Sequence, residues 1–154
     1  MKQIIITAAV AFVLVSCGTT KNKTPEINTE KMESTIELSQ KAQVVALLNS
    51  FNTGDQTPIS YINPNKYIQH NLAVGDGLAG FGEIMHHAPE GGFKANVVRS
   101  FSDGDFVFTH TIYDFFGPKV GFDIFRFEDG LIVEHWDNLS AIAPANPSNR
   151  TQTD

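Results

Sequence analysis

The sequence has one cysteine, few basic residues and no apolar run of the roughly 18 to 20 residues that a membrane-spanning helix needs. Because Cys17 is the only thiol, no disulfide within the chain can stabilise the fold. The 11 lysines and arginines are outnumbered by 17 aspartates and glutamates, which gives a formal net charge of -6. No basic cluster is interleaved with aromatic residues, so we expect no nucleic-acid partner.

The first residues follow the order of a bacterial signal peptide. Lys2 precedes an apolar stretch from Ile4 to Val15, which ends in the sequence Leu-Val-Ser-Cys-Gly. A charged start, a short apolar core and a small-residue cleavage site are typical of a secretory signal. We therefore predict that residues 1–16 are a lipoprotein signal peptide that is removed, and we prefer this to a permanent transmembrane helix.

Cys17 stands where bacterial lipoprotein signals place the thiol that receives a diacylglyceryl group. We predict that it is lipidated and anchors the protein, since several acyl chains on one terminus hold a protein stably at a membrane. An ordinary secreted protein with an incidental cysteine is the alternative. Gly18 replaces the aspartate that retains some lipoproteins at the inner membrane, which favours the periplasmic side of the outer membrane or the cell surface.

The rest of the chain divides by composition into a tether, one domain and a tail. Residues 17–33 are polar and contain too few large apolar side chains to offset the entropy of ordering them, so we expect a flexible tether. Residues 34–143 have the length of one domain with a substantial core. Residues 144–154 are rich in Pro, Asn, Ser and Thr and are predicted to be a frayed tail.

The first half of the domain has helical periodicity. Ser34 and Glu37 have capping-box spacing, and the pattern predicts a helix over 35–53, with apolar residues at Val44, Leu47, Leu48 and Phe51 before Gly54. Residues 58–61 are compatible with one more turn, and 66–71 with a short strand. Asp76 is the expected cap of a second helix, which stops before Pro89, Gly91 and Gly92.

From Phe93 onward the apolar period changes to two, which predicts strands over 93–101, 105–116, 119–127 and 131–142. The runs are separated by Ser102-Asp103-Gly104, Gly117-Pro118 and Glu128-Asp129-Gly130, each of which has hairpin chemistry. Helices followed by an antiparallel meander predict an α+β domain.

The hairpin around Gly117-Pro118 determines which side chains share a face. A turn centred there pairs His110 with Phe125 and Ile112 with Asp123, so that His110 and Asp123 are diagonal neighbours. That register also places an apolar group on their face: Phe106, Phe108, Ile112, Phe125 and Phe127.

The last hairpin has two possible registers. A three-residue loop with a bulge at Gly130 pairs Asp123 with His135 and brings His135 and Asp137 to its face, whereas a two-residue turn brings Glu134 and Trp136 there. We favour the bulged loop because it buries Val133. Trp136 then lies on an outer face, where it could contact a second subunit; in the other register it is a pocket wall.

Several segments together resemble the SnoaL-like proteins of aldol-condensation or ester-cyclase type in the nuclear-transport-factor-2-like superfamily. The resemblance spans about 35–142, and its most specific part is Glu134-His135-Trp136-Asp137 after an acidic glycine turn. The remaining matching segments are Tyr67 to Asn71, Arg99, Ser102 to Asp105, His110 and Asp123 to Arg126.

The resemblance implies a cone of curved antiparallel sheet, closed by helices around an apolar pocket. It also implies that a pocket aspartate, for which Asp123 is the best match, acts as general acid/base without metal or organic cofactor. We predict Asp123, His110 and His135 as catalytic residues, because a carboxylate in an aromatic cavity suits proton abstraction beside a carbonyl and an imidazole can assist. The expected pocket residues are His70, Asn71, Tyr61, Phe108, Phe125, Trp136 and Asp137.

Other functions remain open at this point. A structural His–Asp hydrogen bond would satisfy His110 and Asp123 equally well, and three histidines with Asp123 could bind zinc or iron. No close ligand spacing such as HxH or HExxH supports a metal site, so we predict none. The favoured function is a lipid-anchored, cofactor-independent enzyme for a small apolar carbonyl compound, and a homodimer is possible. The alternative is a non-enzymatic lipoprotein that binds a hydrophobic ligand or an envelope partner.

Overall fold

The computed structural model describes residues 38–154, which form an α+β domain as predicted. Helix α1 (Gln40–Thr53) is followed by a 3-10 helix (Thr57–Tyr61), strand β1 (Ile68–Gln69) and helix α2 (Gly77–His86). Four long strands complete the chain: β2 (Lys94–Asp103), β3 (Phe106–Asp114), β4 (Pro118–Glu128) and β5 (Leu131–Ala141). The signal peptide, Cys17, the tether and the Ser34–Glu37 capping box lie outside the described residues.

Helix α1 begins later than the predicted residue 35. Ser39 is its N-cap and accepts a hydrogen bond from the Ala42 amide at 3.3 Å, so residues 38 and 39 precede the helix. Gly54 ends the helix with a left-handed φ of 73°, a conformation in which glycine has no steric penalty. The predicted apolar face is confirmed, because Val44, Leu47 and Leu48 are buried against the sheet.

Helix α2 has the predicted position and Asp76 is its N-cap residue, but the Asp76 side chain does not bond to the helix amides. The Asp76 carboxylate instead accepts a hydrogen bond from the Gln69 amide at 2.8 Å, which ties the start of α2 to β1. None of the residues of α2 is buried, although Leu78, Phe81, Ile84 and Met85 are apolar. Among residues 38–154, no helix is long and apolar enough to cross a membrane.

The five strands form one sheet in the order β1-β5-β4-β3-β2, in which only β1 and β5 run parallel. A register shift between Val97 and Arg99 leaves Val98 as an extra residue in β2, and bulges of this kind bend a strand. The concave inner face of the sheet packs on α1, and the buried core lies between them.

The β3–β4 register differs from the predicted one by three residues. Asp114 pairs with Pro118, so the loop is Phe115 to Gly117 and Pro118 belongs to the strand. Phe116 and Gly117 accommodate the turn with φ values of 54° and 107°. His110 therefore pairs with Phe122, and Asp123 pairs with Thr109.

A register change by an odd number of residues exchanges the faces of one strand. The prediction that His110 and Asp123 share a face is therefore wrong, as is the placement of three apolar β3 residues beside Asp123. The structure places Phe106, Phe108 and Ile112 on the outer face with His110, whereas Phe125 and Phe127 lie on the inner face as predicted.

The last hairpin combines features of both predicted registers. Glu128 pairs with Leu131 around a two-residue Asp129-Gly130 turn, whose positive φ values of 51° and 79° fit the mirror-image turn that matches strand twist. The favoured three-residue loop is therefore wrong. However, Val133 is an extra residue in β5, and this bulge returns His135 and Asp137 to the inner face. Their cross-strand partners are Phe125 and Asp123, respectively.

Candidate active site

A cavity of about 510 Å³ lies between the inner face of the sheet, α1, α2 and the loop after β1. Most of its wall is apolar, and Asp123, His135 and Asp137 form a polar patch on the sheet side. The apolar wall comprises mainly Leu47, Leu48, Phe51, Phe81, Ile84, Met85, Phe93, Phe115, Phe125 and Leu139. The predicted apolar pocket is present and is closed on one side by α2.

Asp123 lies at the base of this patch and is only 3% exposed. Its Oδ2 atom accepts hydrogen bonds from the hydroxyl groups of Thr109 and Tyr113, each at 2.8 Å. Burial, followed by the nearby Asp123 charge, raises the pKa of the Tyr113 phenol well above its ordinary value, so Tyr113 remains a neutral donor. These two donors fix the carboxylate and leave its Oδ1 atom directed elsewhere.

Gly121 makes the contact between Tyr113 and Asp123 possible. A Cβ atom at position 121 would lie 2.6 Å from both Tyr113 Cε2 and Leu139 Cδ2, which is far closer than normal packing allows. Because Gly121 has no side chain, the Tyr113 ring can cover strand β4 at this point. The Tyr113 hydroxyl then reaches the carboxylate of Asp123, two residues further along the strand.

His135 is held between two acceptor oxygen atoms. Its Nδ1 atom lies 3.0 Å from Gln69 Oε1, and its Nε2 atom lies 3.4 Å from Asp123 Oδ1. Gln69 Oε1 also accepts a hydrogen bond from the Asn71 amide, which assigns this atom as the oxygen. The imidazole ring stacks on Phe125 with 4.4 Å between ring centres.

This arrangement determines how protons are placed in the site. Because Gln69 Oε1 can only accept, the Nδ1 atom of His135 carries a proton. Nε2 then faces Asp123 Oδ1 at 3.4 Å, a geometry in which either atom can carry a proton directed at the other. Nε2 of His135 and Oδ1 of Asp123 are therefore placed so that a proton can pass between them beside the cavity.

Asp137 is a second carboxylate in the patch and is the cross-strand partner of Asp123. Asn71 donates a hydrogen bond from Nδ2 to Asp137 Oδ2 at 2.6 Å. One ligand atom from each of Asp123, His135 and Asp137 lies within 4.8 Å of the others, so these are the described residues that could hold a metal ion. The predicted metal alternative included His70 and His110, which are not part of this group.

The structure brings together six of the ten residues that the sequence assigned to the site. Asp123, His135, Asp137, His70, Asn71 and Phe125 line the cavity. His70 lies at its edge, where its Nε2 atom bonds Glu134 at 2.9 Å and its ring stacks on Trp136 at 4.6 Å.

The other four predicted residues lie elsewhere. Tyr61 packs against the hydrophobic core without lining the cavity. Phe108, His110 and Trp136 line a second depression of about 540 Å³ on the outer face of the sheet. There the His110 ring stacks on Phe122 at 4.6 Å, and its buried Nε2 atom has no hydrogen-bond partner among the described residues. His110 therefore does not assist Asp123.

Three residues of the site were missed by the sequence analysis: Thr109, Tyr113 and Gln69. Thr109 and Tyr113 lie at alternating positions of β3, and the correct register would have placed both on the face of Asp123. The incorrect loop assignment concealed this signal. Gln69 reaches His135 through the parallel pairing of β1 with β5, for which the sequence carries no local indication.

No protein-family model and no curated protein sequence matches the chain. Its fold, however, matches several solved structures. An NTF2-like protein of unknown function from Cytophaga hutchinsonii is 16% identical with a TM-score of 0.59, over 69% of this chain and 94% of that one. The chain thus has the cone-shaped α+β fold of nuclear-transport-factor-2-like proteins.

Two further structural matches carry names that refer to an activity. IdmH, a candidate polyketide cyclase from Streptomyces antibioticus, is 21% identical with a TM-score of 0.50, over 66% of this chain and 93% of that one. A candidate ketosteroid isomerase from Kribbella flavida is 14% identical with a TM-score of 0.57, over 70% and 82% of the two chains. Because fold does not determine function, these likenesses establish the architecture.

Proposed function

We propose that this protein is a cofactor-independent acid/base enzyme that acts on a small apolar carbonyl compound. The observation that carries the proposal is the approach of His135 Nε2 to Asp123 Oδ1, 3.4 Å apart, at the wall of an apolar cavity. The names of two structural matches, a polyketide cyclase and a ketosteroid isomerase, refer to carbonyl-containing molecules and support the same substrate class.

The geometry supports specific roles for the two residues. Thr109 and Tyr113 occupy Oδ2 of Asp123, whereas Oδ1 faces only His135 Nε2 and keeps a lone pair to accept a proton from a carbon beside the substrate carbonyl. The Nε2–H of His135 then donates to the enolate oxygen that develops as the C–H bond breaks. Return of the proton to a different carbon, or attack of the enolate on a second carbonyl, would give isomerisation or aldol-type cyclisation.

Exchange of carbon-bound hydrogen tests this proposal without knowledge of the natural substrate. The probe is 2-tetralone, a compact ketone with acidic protons beside its carbonyl, followed in D₂O by ¹H NMR. We expect the wild-type protein to accelerate exchange and Asp123→Asn to lose about 10² to 10⁴-fold of that acceleration. Asp103→Asn, an exposed carboxylate of the same sheet, is the matched control. Equal exchange by wild type and Asp123→Asn would reject the assignment.

A binding protein without catalysis is the second candidate. The observation that favours it is the near-complete burial of Asp123, with Thr109, Tyr113 and His135 all engaged with its carboxylate. Such a network can be purely structural. Tight binding of 2-tetralone by wild-type protein, with no acceleration of exchange, would identify this function.

Membrane anchoring through Cys17 is part of the proposed function and is supported by the sequence around that residue. The proposed location is the outer membrane, on its periplasmic side or at the cell surface. Cys17→Ser should remove the protein from the membrane fraction of an expressing bacterium, whereas lipidated wild type should remain in the outer-membrane fraction. Wild-type protein that fractionates as soluble material would exclude the anchor.

We also propose that the outer face of the sheet joins two copies of the chain. Phe101 and Phe122 are 59% and 58% exposed there, and apolar patches of this kind often mark interfaces. Sedimentation analysis of the wild type should give a dimer, and Phe122→Glu should give a monomer. A monomeric wild type at micromolar concentration would contradict this proposal.

A further inference from the structure

Lys119 is a cation on the wall of the cavity. It lies near the start of β4, between Tyr113 of β3 and Ala141 of β5, and its side chain is partly buried. Along β4, positions 119, 121 and 123 share the inner face because side chains alternate in a strand. Lys119 and Asp123 therefore belong to the same cavity and line it at different points.

Lys119 has no ion-pair partner in the part of the chain that the structure describes, whereas Lys66 pairs with Glu128. The apolar side chains of Phe115, Phe116 and Leu139 line the same cavity. The ammonium group of a partly buried lysine on a largely apolar wall gains free energy when an anion binds it.

The distance between the two ends of the cavity limits the ligand. Four residues of β4 separate Lys119 from Asp123, which corresponds to about 13 Å at roughly 3.3 Å per residue. Gly121 lies between them and has no side chain, and the apolar ring of Tyr113 covers it. The path from Lys119 to Asp123 is thus apolar, with a cation at one end and the proton-transfer pair at the other.

We infer that the cavity takes an elongated apolar molecule with an anionic group, such as a carboxylate, that binds Lys119. The second half of the inference, that a carbonyl group of the same molecule reaches Asp123 and His135, rests on the proposed function. The anionic half does not, because it depends on Lys119 and the apolar wall alone. The ligand class is therefore an apolar oxo acid.

Two fluorescent probes of one skeleton test the anionic half directly. Anilinonaphthalene-8-sulfonate and N-phenyl-1-naphthylamine differ only by the sulfonate group, and each is titrated against the full chain. We expect wild-type protein to bind the sulfonate more tightly than its neutral counterpart. Lys119→Gln should weaken sulfonate binding about tenfold or more and leave the neutral probe unchanged. Lys94→Gln, an exposed lysine of the same sheet, is the matched control.

The outcomes separate this inference from the proposed function. Equal sulfonate affinity in wild type and Lys119→Gln overturns the inference, as does equal wild-type affinity for the two probes. Asp123→Asn should retain the preference for the sulfonate, because Asp123 contributes to proton transfer and not to the anionic end. If Asp123→Asn loses hydrogen exchange but keeps a preference for the sulfonate that depends on Lys119, both proposals are supported. If the sulfonate preference depends on Lys119 but the wild-type protein does not accelerate exchange, only the anionic site is supported.

Discussion

At the scale of single residues, Gly121 makes room for a ring that positions Asp123. Its missing side chain admits the Tyr113 ring, and the Tyr113 hydroxyl in turn fixes one oxygen of Asp123. These contacts determine which oxygen of the Asp123 carboxylate is available to accept a proton. A sequence pattern does not reveal it, since glycine in a strand more often indicates a bulge or weak packing.

Replacement of Gly121 by alanine should damage both stability and catalysis. The added methyl group would overlap Tyr113 and Leu139, and overpacking of a core usually costs about 1 to 3 kcal/mol of unfolding free energy. Displacement of the Tyr113 ring should also slow the exchange of 2-tetralone. Urea unfolding and the exchange assay measure the two effects.

Gly82→Ala is the matched control for this substitution. Position 82 lies in α2, and apart from its chain neighbours and the backbone of its own helix no described atom lies within 4 Å of a Cβ built there. The methyl group should therefore be neutral or slightly stabilising, because alanine favours a helix more than glycine does. A Gly121→Ala protein as stable and as active as Gly82→Ala would refute the packing argument.

At the scale of elements, the number and type of strands were predictable, but their registers were not. Alternating apolar residues indicated all four long strands, and the apolar spacing of α1 and α2 indicated the helices. The loop after β3 was misassigned because Gly117-Pro118 has strong turn chemistry, whereas the turn residues are Phe115 to Gly117 with a left-handed Phe116. Bulky residues rarely adopt this conformation, so propensity gives no indication of it.

In the last hairpin, the turn and the bulge have opposite effects on which side chains of β5 face inward. The two-residue turn alone would have brought Trp136 to the inner face, and the Val133 bulge reversed that result. The predicted site residues His135 and Asp137 are therefore on the predicted face, although the predicted loop was wrong. A bulge depends on packing between strands, which is why the sequence alone could not locate it.

The pairing of β4 with β5 includes a charged cluster that should make stability depend on pH. Glu134 accepts hydrogen bonds from His70 at 2.9 Å and from Arg126 at 2.7 Å. These contacts, that of His70 first, lower the pKa of Glu134 below its ordinary value of 4.5. The stabilisation is therefore present above about pH 4.5 and is lost as the pH falls through the lowered folded-state value.

Comparison of Glu134→Gln with wild type tests this dependence. We expect the variant to be about 1 kcal/mol less stable at pH 7, and the difference to shrink as the pH falls toward 2. Urea unfolding across that range provides the measurement, with the exposed Glu90→Gln as control. A stability difference that stays constant with pH would contradict the assigned role of Glu134.

At the scale of the whole molecule, the sheet has two faces, and the predicted register placed residues of both on one face. The inner face and the helices enclose the cavity with Asp123 and His135, and the outer face carries His110, Phe122 and Trp136. The fold could be inferred from the resemblance to SnoaL-like proteins. Which side chains lie on each face of the sheet could not be inferred, because this depends on the three-residue register difference between β3 and β4.

The most direct test of this account is to measure 2-tetralone exchange by Asp123→Asn and His110→Phe in parallel. The account predicts that Asp123→Asn is inactive and that His110→Phe retains wild-type exchange, because His110 lies on the outer face. His110→Phe should also be at least as stable as wild type, since it removes a buried nitrogen atom that has no partner within residues 38–154 and preserves the stacking on Phe122. Loss of exchange in a folded His110→Phe protein, with activity retained in Asp123→Asn, would contradict the assignment of the inner cavity as the active site.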